Sequence, residues 1–350
     1  MKAFYHSAYT NNGFKHIRLN SYNPDSFRYI LKGNSGKVKE NLFSKITDVL
    51  NKKNIDFCLS RNYDGRVCGL KSEDESFIIC DGTHPFSDDA ATFGAVDGII
   101  SLENFQQSSV LRKKSEDIVS LTQSVSEQER RCQRFLNAAA GINKDKKRLE
   151  KEIADSRKIS RYSAKLWSTY GCPPSGTVGV EKKYFLSVPV SNGIKFDCTD
   201  IKDICDTAIL IEGSAGYCSE MIIDRVRRYA LSSGADVVSF KSFLDFDGVP
   251  EHIVIPALRF GVFTQQKEMT LAGLNVKKVR AKRFILSEMG ESAKVRLQFN
   301  QRAYQSLIKE ASESIKYIDK YNRELDDIYV ESTDENSLCD YVMSKIFYKS

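Results

Sequence analysis

Residues 33–40 read Gly33-Asn34-Ser35-Gly36-Lys37-Val38-Lys39-Glu40. The apolar run Tyr29-Ile30-Leu31 precedes them, and Leu42, Phe43, Ile46, Val49 and Leu50 follow at helical spacing. The order is strand, glycine-containing turn, helix. Such a turn offers an anion a row of backbone N–H groups together with the positive end of a helix dipole. The chain writes it twice. Ala208 to Ile211 lead into Gly213-Ser214-Ala215-Gly216-Tyr217-Cys218-Ser219-Glu220, and Met221, Ile222, Ile223, Val226 and Tyr229 supply the second amphipathic stretch.

Working outward, the repetition extends well beyond the turns. FYHSAYTNNGFK (4–15) matches YFLSVPVSNGIK (184–195), with Ser7, Asn12, Gly13 and Lys15 falling on Ser187, Asn192, Gly193 and Lys195 at an offset of 180. The same offset carries Gly33 to Gly213, Gly36 to Gly216, Glu40 to Glu220 and Asp56 to Asp236. A gap of three then brings Asp64-Gly65 onto Asp247-Gly248 and Phe77 onto Phe260. The ordered series indicates two copies of one unit. Further apolar runs, Ile55 to Leu59 and Phe77 to Cys80 in the first copy, Val237-Val238, Ile253 to Ile255 and Phe260 to Phe263 in the second, alternate with the helices. The expected class is α/β, with two tandem parallel-sheet domains, each followed by a long helical arm. The expected layout is a first core over 1–106, an arm over 107–170, a Pro/Gly-rich linker over 171–180, a second core over 181–290, and an arm with the C-terminal tail over 291–350. In the second arm Tyr304, Leu307, Ile308, Ala311, Ile315, Ile318, Tyr321 and Leu325 make one apolar face. Tyr162, Trp167 and Tyr170, near the linker, read as packing aromatics.

Composition narrows the class. The chain has 350 residues, 41% of them hydrophobic and 28% charged, so it can bury real cores. The net charge of +6 is a mild excess rather than the footprint of an obligate nucleic-acid binder. No apolar run approaches the roughly 18 residues of a membrane span, and MKAFYHSAYTNN is not of signal-peptide type, so a cytoplasmic location is expected. Nine cysteines without a C-x-x-C pair read as small buried apolar groups in a reducing compartment. Four histidines, His6, His16, His84 and His252, give zinc-hydrolase and serine-hydrolase templates nothing to grip.

Against the phosphate-binding pattern G-x-x-x-x-G-K-[ST], Gly33 and Lys39 are in register, Val38 replaces the second glycine and Glu40 the magnesium-binding hydroxyl. The second copy lacks the lysine as well. With Leu31-Lys32-Gly33 before the turn, Asp81-Gly82-Thr83-His84-Pro85 after a strand, Gly94-Ala95-Val96-Asp97 beyond it and the tail Asn322-Arg323-Glu324-Leu325-Asp326-Asp327-Ile328-Tyr329, the chain resembles, over nearly its whole length, a family of uncharacterised bacterial proteins built as tandem P-loop NTPase-like halves. The resemblance implies ATP-type binding and a kinase- or ATPase-like fold. Departures are many. Ser35 stands where that family has proline, Phe86 takes its histidine position, and Thr264-Gln265-Gln266 replaces Asp-Gly-Thr in the second half.

The candidate phosphate loop is Gly33, Asn34, Ser35, Gly36, Lys37 and Lys39, with Gly213 and Gly216 marking a degenerate second loop. Asp81 is the candidate carboxylate for magnesium: if any phosphate is bound, it is that of ATP with magnesium in the first half, and none is expected in the second. No catalytic residue is assigned. A carboxylate 4 Å from a phosphate oxygen costs about 4 kcal/mol at an effective dielectric of 20, roughly three powers of ten in affinity. Glu40 and Glu220, recurring at one place in both copies, are expected to act as tethered anions where a phosphate would sit. Three readings follow: a pseudoenzyme acting by interaction or regulation, its arms contacting an unknown protein partner; an ATPase or small-molecule kinase with a divergent loop; and a nucleic-acid binder using KDKKR (144–148) and KKVRAKR (277–283). The first is favoured.

Overall fold

The computed structural model describes residues 3–19, 26–33, 35–74 and 76–347. In chain order the first half runs β1 (Ala3–Tyr5), β2 (Ser7–Thr10), β3 (Gly13–His16), β4 (Phe27–Lys32), α1 (Gly36–Lys52), β5 (Phe57–Arg61), β6 (Val67–Ser72), β7 (Phe77–Asp81) and β8 (Asp97–Ser101). The helices α2 (Ser108–Lys113), α3 (Ser115–Ile153) and α4 (Ser156–Tyr170) follow. The second half runs β9 (Glu181–Tyr184), β10 (Ser187–Val190), β11 (Gly193–Phe196), a one-turn α5 (Ile201–Ile204), β12 (Thr207–Glu212), α6 (Tyr217–Ser232), β13 (Val237–Phe240), β14 (His252–Ile255), β15 (Phe260–Thr264) and β16 (Asn275–Arg280). It ends in α7 (Glu291–Ser332) and α8 (Glu335–Phe347).

Twelve of the strands form two sheets of six, ordered β1-β5-β6-β7-β4-β8 and β9-β13-β14-β15-β12-β16, so every strand of the second takes the place of its counterpart, and β2-β3 and β10-β11 form two-stranded sheets. Register agrees too. Leu31 lies opposite Asp81 in the first sheet and Ile211 opposite Thr264 in the second, the same pair carried by offsets of 180 and 183. Two α/β domains with mostly parallel sheets thus stand as expected. One strand in each departs from that expectation: β6 and β14 run antiparallel to both neighbours. The reason is connection length. Only residues 62–66 join β5 to β6, enough for a hairpin and too few for a parallel crossover.

Each sheet buries apolar runs against helices. In α1, Leu42, Phe43, Ile46 and Leu50 are buried, and each such side chain contributes about 1.5–3 kcal/mol. In α6, Cys218, Ile222, Ile223, Val226 and Ala230 do the same. The chain forms two compact units: one comprises 1–8, 13–132 and 313–350, the other 9–12 and 133–312. The first unit's core takes Leu338 and Val342 from α8, which packs on α1. The second takes Ile159 and Leu166 from α4, which packs on α6. Each core helix is therefore covered by a helix that follows the other core in sequence. Tyr162, Trp167 and Tyr170 pack on the second core, Tyr170 stacking on Phe260 at 4.4 Å between ring centroids. On α7, Ile308, Ala311, Ile315, Ile318 and Leu325 are buried, as the apolar face requires. All nine cysteines are free, and burial pushes the Cys218 thiol up to about 12. Among the described residues, no helix is long and apolar enough to cross a membrane.

Candidate functional site

The first turn closes tightly between β4 and α1. Gly33 has φ +152°, and a Cβ there would lie 2.6 Å from Leu102 Cβ. Its N–H donates to Thr83 Oγ1 at 2.9 Å, and that hydroxyl donates to the Gly33 carbonyl at 2.7 Å. Ser35 caps α1, its Oγ accepting from the Val38 N–H at 3.1 Å. The anion on this turn is a side chain of the protein itself. Asp326, on α7, accepts from Ser35 Oγ at 3.0 Å and from the Lys37 N–H at 3.1 Å with one oxygen, and pairs with Arg66 at 2.9 Å through the other. Gly36 leaves room for this arrangement, since a Cβ there would meet the Arg66 guanidinium at 2.8 Å. Arg66 also pairs with Asp64 at 3.1 Å, whose carboxyl burial raises above its ordinary value. Tyr63 donates to Asp319 at 2.9 Å, and burial raises both groups.

The second turn has the same design with different residues. Glu150, on α3 and buried, accepts from the Ala215 N–H at 2.9 Å, from the Cys218 N–H at 2.9 Å and from Ser214 Oγ at 2.9 Å. Gly216, at φ +122°, makes room for a cation as Gly36 does, a Cβ there lying 2.9 Å from Lys147 Cγ. Gly213 has φ +70°, a left-handed turn conformation that glycine adopts freely. In each unit a carboxylate from a long helix thus accepts from backbone N–H at the start of the core helix, Asp326 from Lys37 and Glu150 from Ala215 and Cys218. Such charge-assisted bonds complement the helix dipole.

Glu40 and Glu220 do not occupy those positions. Glu40 pairs with the exposed Lys37 at 3.0 Å, and Glu220 with Lys147 at 2.8 Å. The expectation of a tethered anion thus falls on other residues, Asp326 and Glu150. Helix geometry explains it: residues 40 and 220 come after the free N–H groups of the first turn. Lys39 is buried, its ammonium 2.7 Å from Asp81 Oδ1 and 2.8 Å from Thr83 Oγ1. Asp81 Oδ1 also accepts from the Thr83 N–H at 2.9 Å. In the second unit the counterparts of Lys39 and Asp81 are Ser219 and Thr264, so the ion pair is lost as a pair and no buried charge is stranded. Asn34 lies outside the described residues. Among the described residues, no three His, Cys, Asp or Glu side chains are grouped to hold a metal ion.

Sequence reasoning brought Gly33, Ser35, Gly36, Lys39 and Asp81 to one place and missed Asp326, Glu150 and Arg66. The signal available for the first two was an acid set within an apolar stripe: Asp326 follows Leu325 and precedes Tyr329, and Glu150 follows Leu149. Compared with protein-family models, curated proteins and solved structures, the chain matches none.

Proposed function

We propose that this chain is a P-loop NTPase-like protein of two degenerate halves that does not turn nucleotide over and acts by interaction or regulation. The observation carrying this reading is that a carboxylate of the protein already sits on each turn, Asp326 on the Lys37 N–H and Ser35 hydroxyl of the first and Glu150 on the Ala215 and Cys218 N–H groups of the second. A triphosphate would have to displace a tethered anion that pays no association entropy, and would otherwise face the roughly 4 kcal/mol repulsion of two like charges at 4 Å. ATP with magnesium is accordingly not a resident cofactor in this reading. Partner contact falls to the helical arms. Val295 and Phe299, one turn apart on α7 and each 64% exposed, are where such a contact would start.

A second reading, an ATP-binding ATPase or small-molecule kinase served by the first half, is favoured by one observation: Lys39 and Asp81 remain in contact at 2.7 Å. The nucleic-acid reading has less support. Lys147 of KDKKR pairs with Glu220, Arg148 with Glu152, and Lys278 of KKVRAKR with Glu212. Incubation with ATP and magnesium, followed by phosphate release and by melting temperature, separates the first two. Neither release nor a shift is expected. A ligand at 100 times its Kd would add about 2.7 kcal/mol of stability, so a clear rise in melting temperature would decide for the second.

A further inference from the structure

The duplication makes each sheet a control for the other, and the two differ sharply in charge along one edge. β8 and β16 stand last in their sheets, each paired on one side only, with β4 and with β12. By that register and its continuation, Gly98, Ile99, Ser101, Glu103 and Asn104 fall on Lys277, Lys278, Arg280, Lys282 and Arg283, and all five of the latter are exposed. The first unit has no cation at these places; the second has five within seven residues.

Little in the unit answers these charges. Lys278 pairs with Glu212 at 2.9 Å, Lys277 donates to the Tyr170 hydroxyl at 2.7 Å, and Arg283 lies 5.7 Å from the centre of the Tyr162 ring. Among the described residues, Arg280 and Lys282 have no ion-pair partner. Lysine on an edge strand ordinarily keeps sheets from pairing edge to edge. That role does not reach Lys282 and Arg283, which lie past the strand on a 3-10 turn over Ala281–Phe284. The backbone of this edge is open as well. Asn275 donates its N–H to the Asp206 carbonyl at 2.8 Å, so in a parallel ladder Asn275, Lys277 and Val279 turn their backbone groups to β12. Val276 and Lys278 then turn theirs away from the sheet, as does the Arg280 N–H. In the first unit the Gly94 N–H donates to the Asp97 carbonyl at 2.8 Å and closes the start of the corresponding edge.

We propose that β16 receives an extended acidic segment of a partner protein as a further strand of the second sheet. The segment's backbone pairs with the outward groups of Val276, Lys278 and Arg280, and carboxylates at alternate positions stand beside Lys278 and Arg280, which share one face of the strand. Acids beyond the added strand meet Lys282 and Arg283. A nucleic acid would answer the cations, but it has no row of donors at strand spacing for the Val276 and Lys278 carbonyls. The proposal does not depend on whether either turn takes nucleotide.

Fluorescence anisotropy with the full chain at low salt tests it, using a labelled peptide of alternating glutamate and valine long enough to span β16. The controls are the same peptide N-methylated at every residue, a peptide of alternating lysine and valine, and a single-stranded oligonucleotide of the same charge as the acidic peptide. The acidic peptide is expected to bind, the N-methylated one at least about tenfold more weakly for want of backbone donors, and the lysine peptide not at all. Lys282→Glu with Arg283→Glu, outside the ladder, is expected to weaken the acidic peptide at least about tenfold. Val276→Pro keeps every cation and every bond to β12 while removing an outward N–H, and is expected to weaken it by a similar factor. Circular dichroism checks that the variants fold. No binding of the acidic peptide, equal affinity for its N-methylated form, tighter binding of the oligonucleotide, or affinity unchanged in the folded variants would each overturn the proposal.

Discussion

Asp326 divides its two oxygens between the turn and Arg66, which makes it the most exacting single position in the first unit. Asp326→Ala leaves the partly buried guanidinium with only Asp64 and two donors without an acceptor. A loss of about 3 kcal/mol is expected in urea unfolding, and about 1–2 kcal/mol for Asp326→Asn, which keeps an acceptor. Lys39 and Asp81 give a sharper comparison. Lys39→Met alone strands a buried carboxylate and is expected to cost about 3–5 kcal/mol, whereas Lys39→Met with Asp81→Asn should cost less than the single change. The second unit, with Ser219 and Thr264 there, has already made the equivalent double substitution. Lys39 and Asp81 were legible because a strand and a turn bring them together through a known pattern. Asp326 was not, since it sits 291 residues from Ser35 and an acid on a helix ordinarily reads as solvated.

At the level of strands and helices, the repeat carried most of the information. An offset of 180, becoming 183 after three inserted residues, relates the first five strands of the second sheet in chain order to their counterparts, the extra residues falling between β13 and β14, while β16 lies at an offset of 179 from β8. The antiparallel sense of β6 was written in the short connection before it, a length that says more than the apolar run itself. What periodicity could not tell was which surface each arm's stripe would meet: a hydrophobic face states that it is buried, not against what. The packing of α8 on α1 and of α4 on α6 gives a direct check. Leu338 is 1% exposed, and Leu338→Ala is expected to cost about 2–5 kcal/mol and to speed amide exchange in α1 while leaving α6 protected.

For the molecule as a whole, three histidines set the acid side of stability. Burial lowers His6 and His16 to about 4 and His252 to about 3, below an unfolded value near 6.5. The unfolded chain therefore takes up protons that the native one refuses. Their contribution is complete above pH 6.5 and falls as the pH drops toward 4 and 3, at up to about 1.4 kcal/mol per unit for each histidine. The melting temperature should accordingly decline from pH 7 to pH 4.5. His252→Asn, whose amide oxygen can replace the Nδ1 acceptor for the Thr264 N–H, should flatten that decline.

Asp326 and Glu150 each sit on a turn where a phosphate would otherwise bind, and crystals grown with magnesium and a nonhydrolysable ATP analogue test this most directly. The predicted density has both carboxylates in place, within hydrogen-bond reach of the Lys37, Ala215 and Cys218 N–H groups, and no nucleotide on either turn. A triphosphate seated on the first turn, with Asp326 displaced and Lys39 turned from Asp81 to the phosphates, would contradict it.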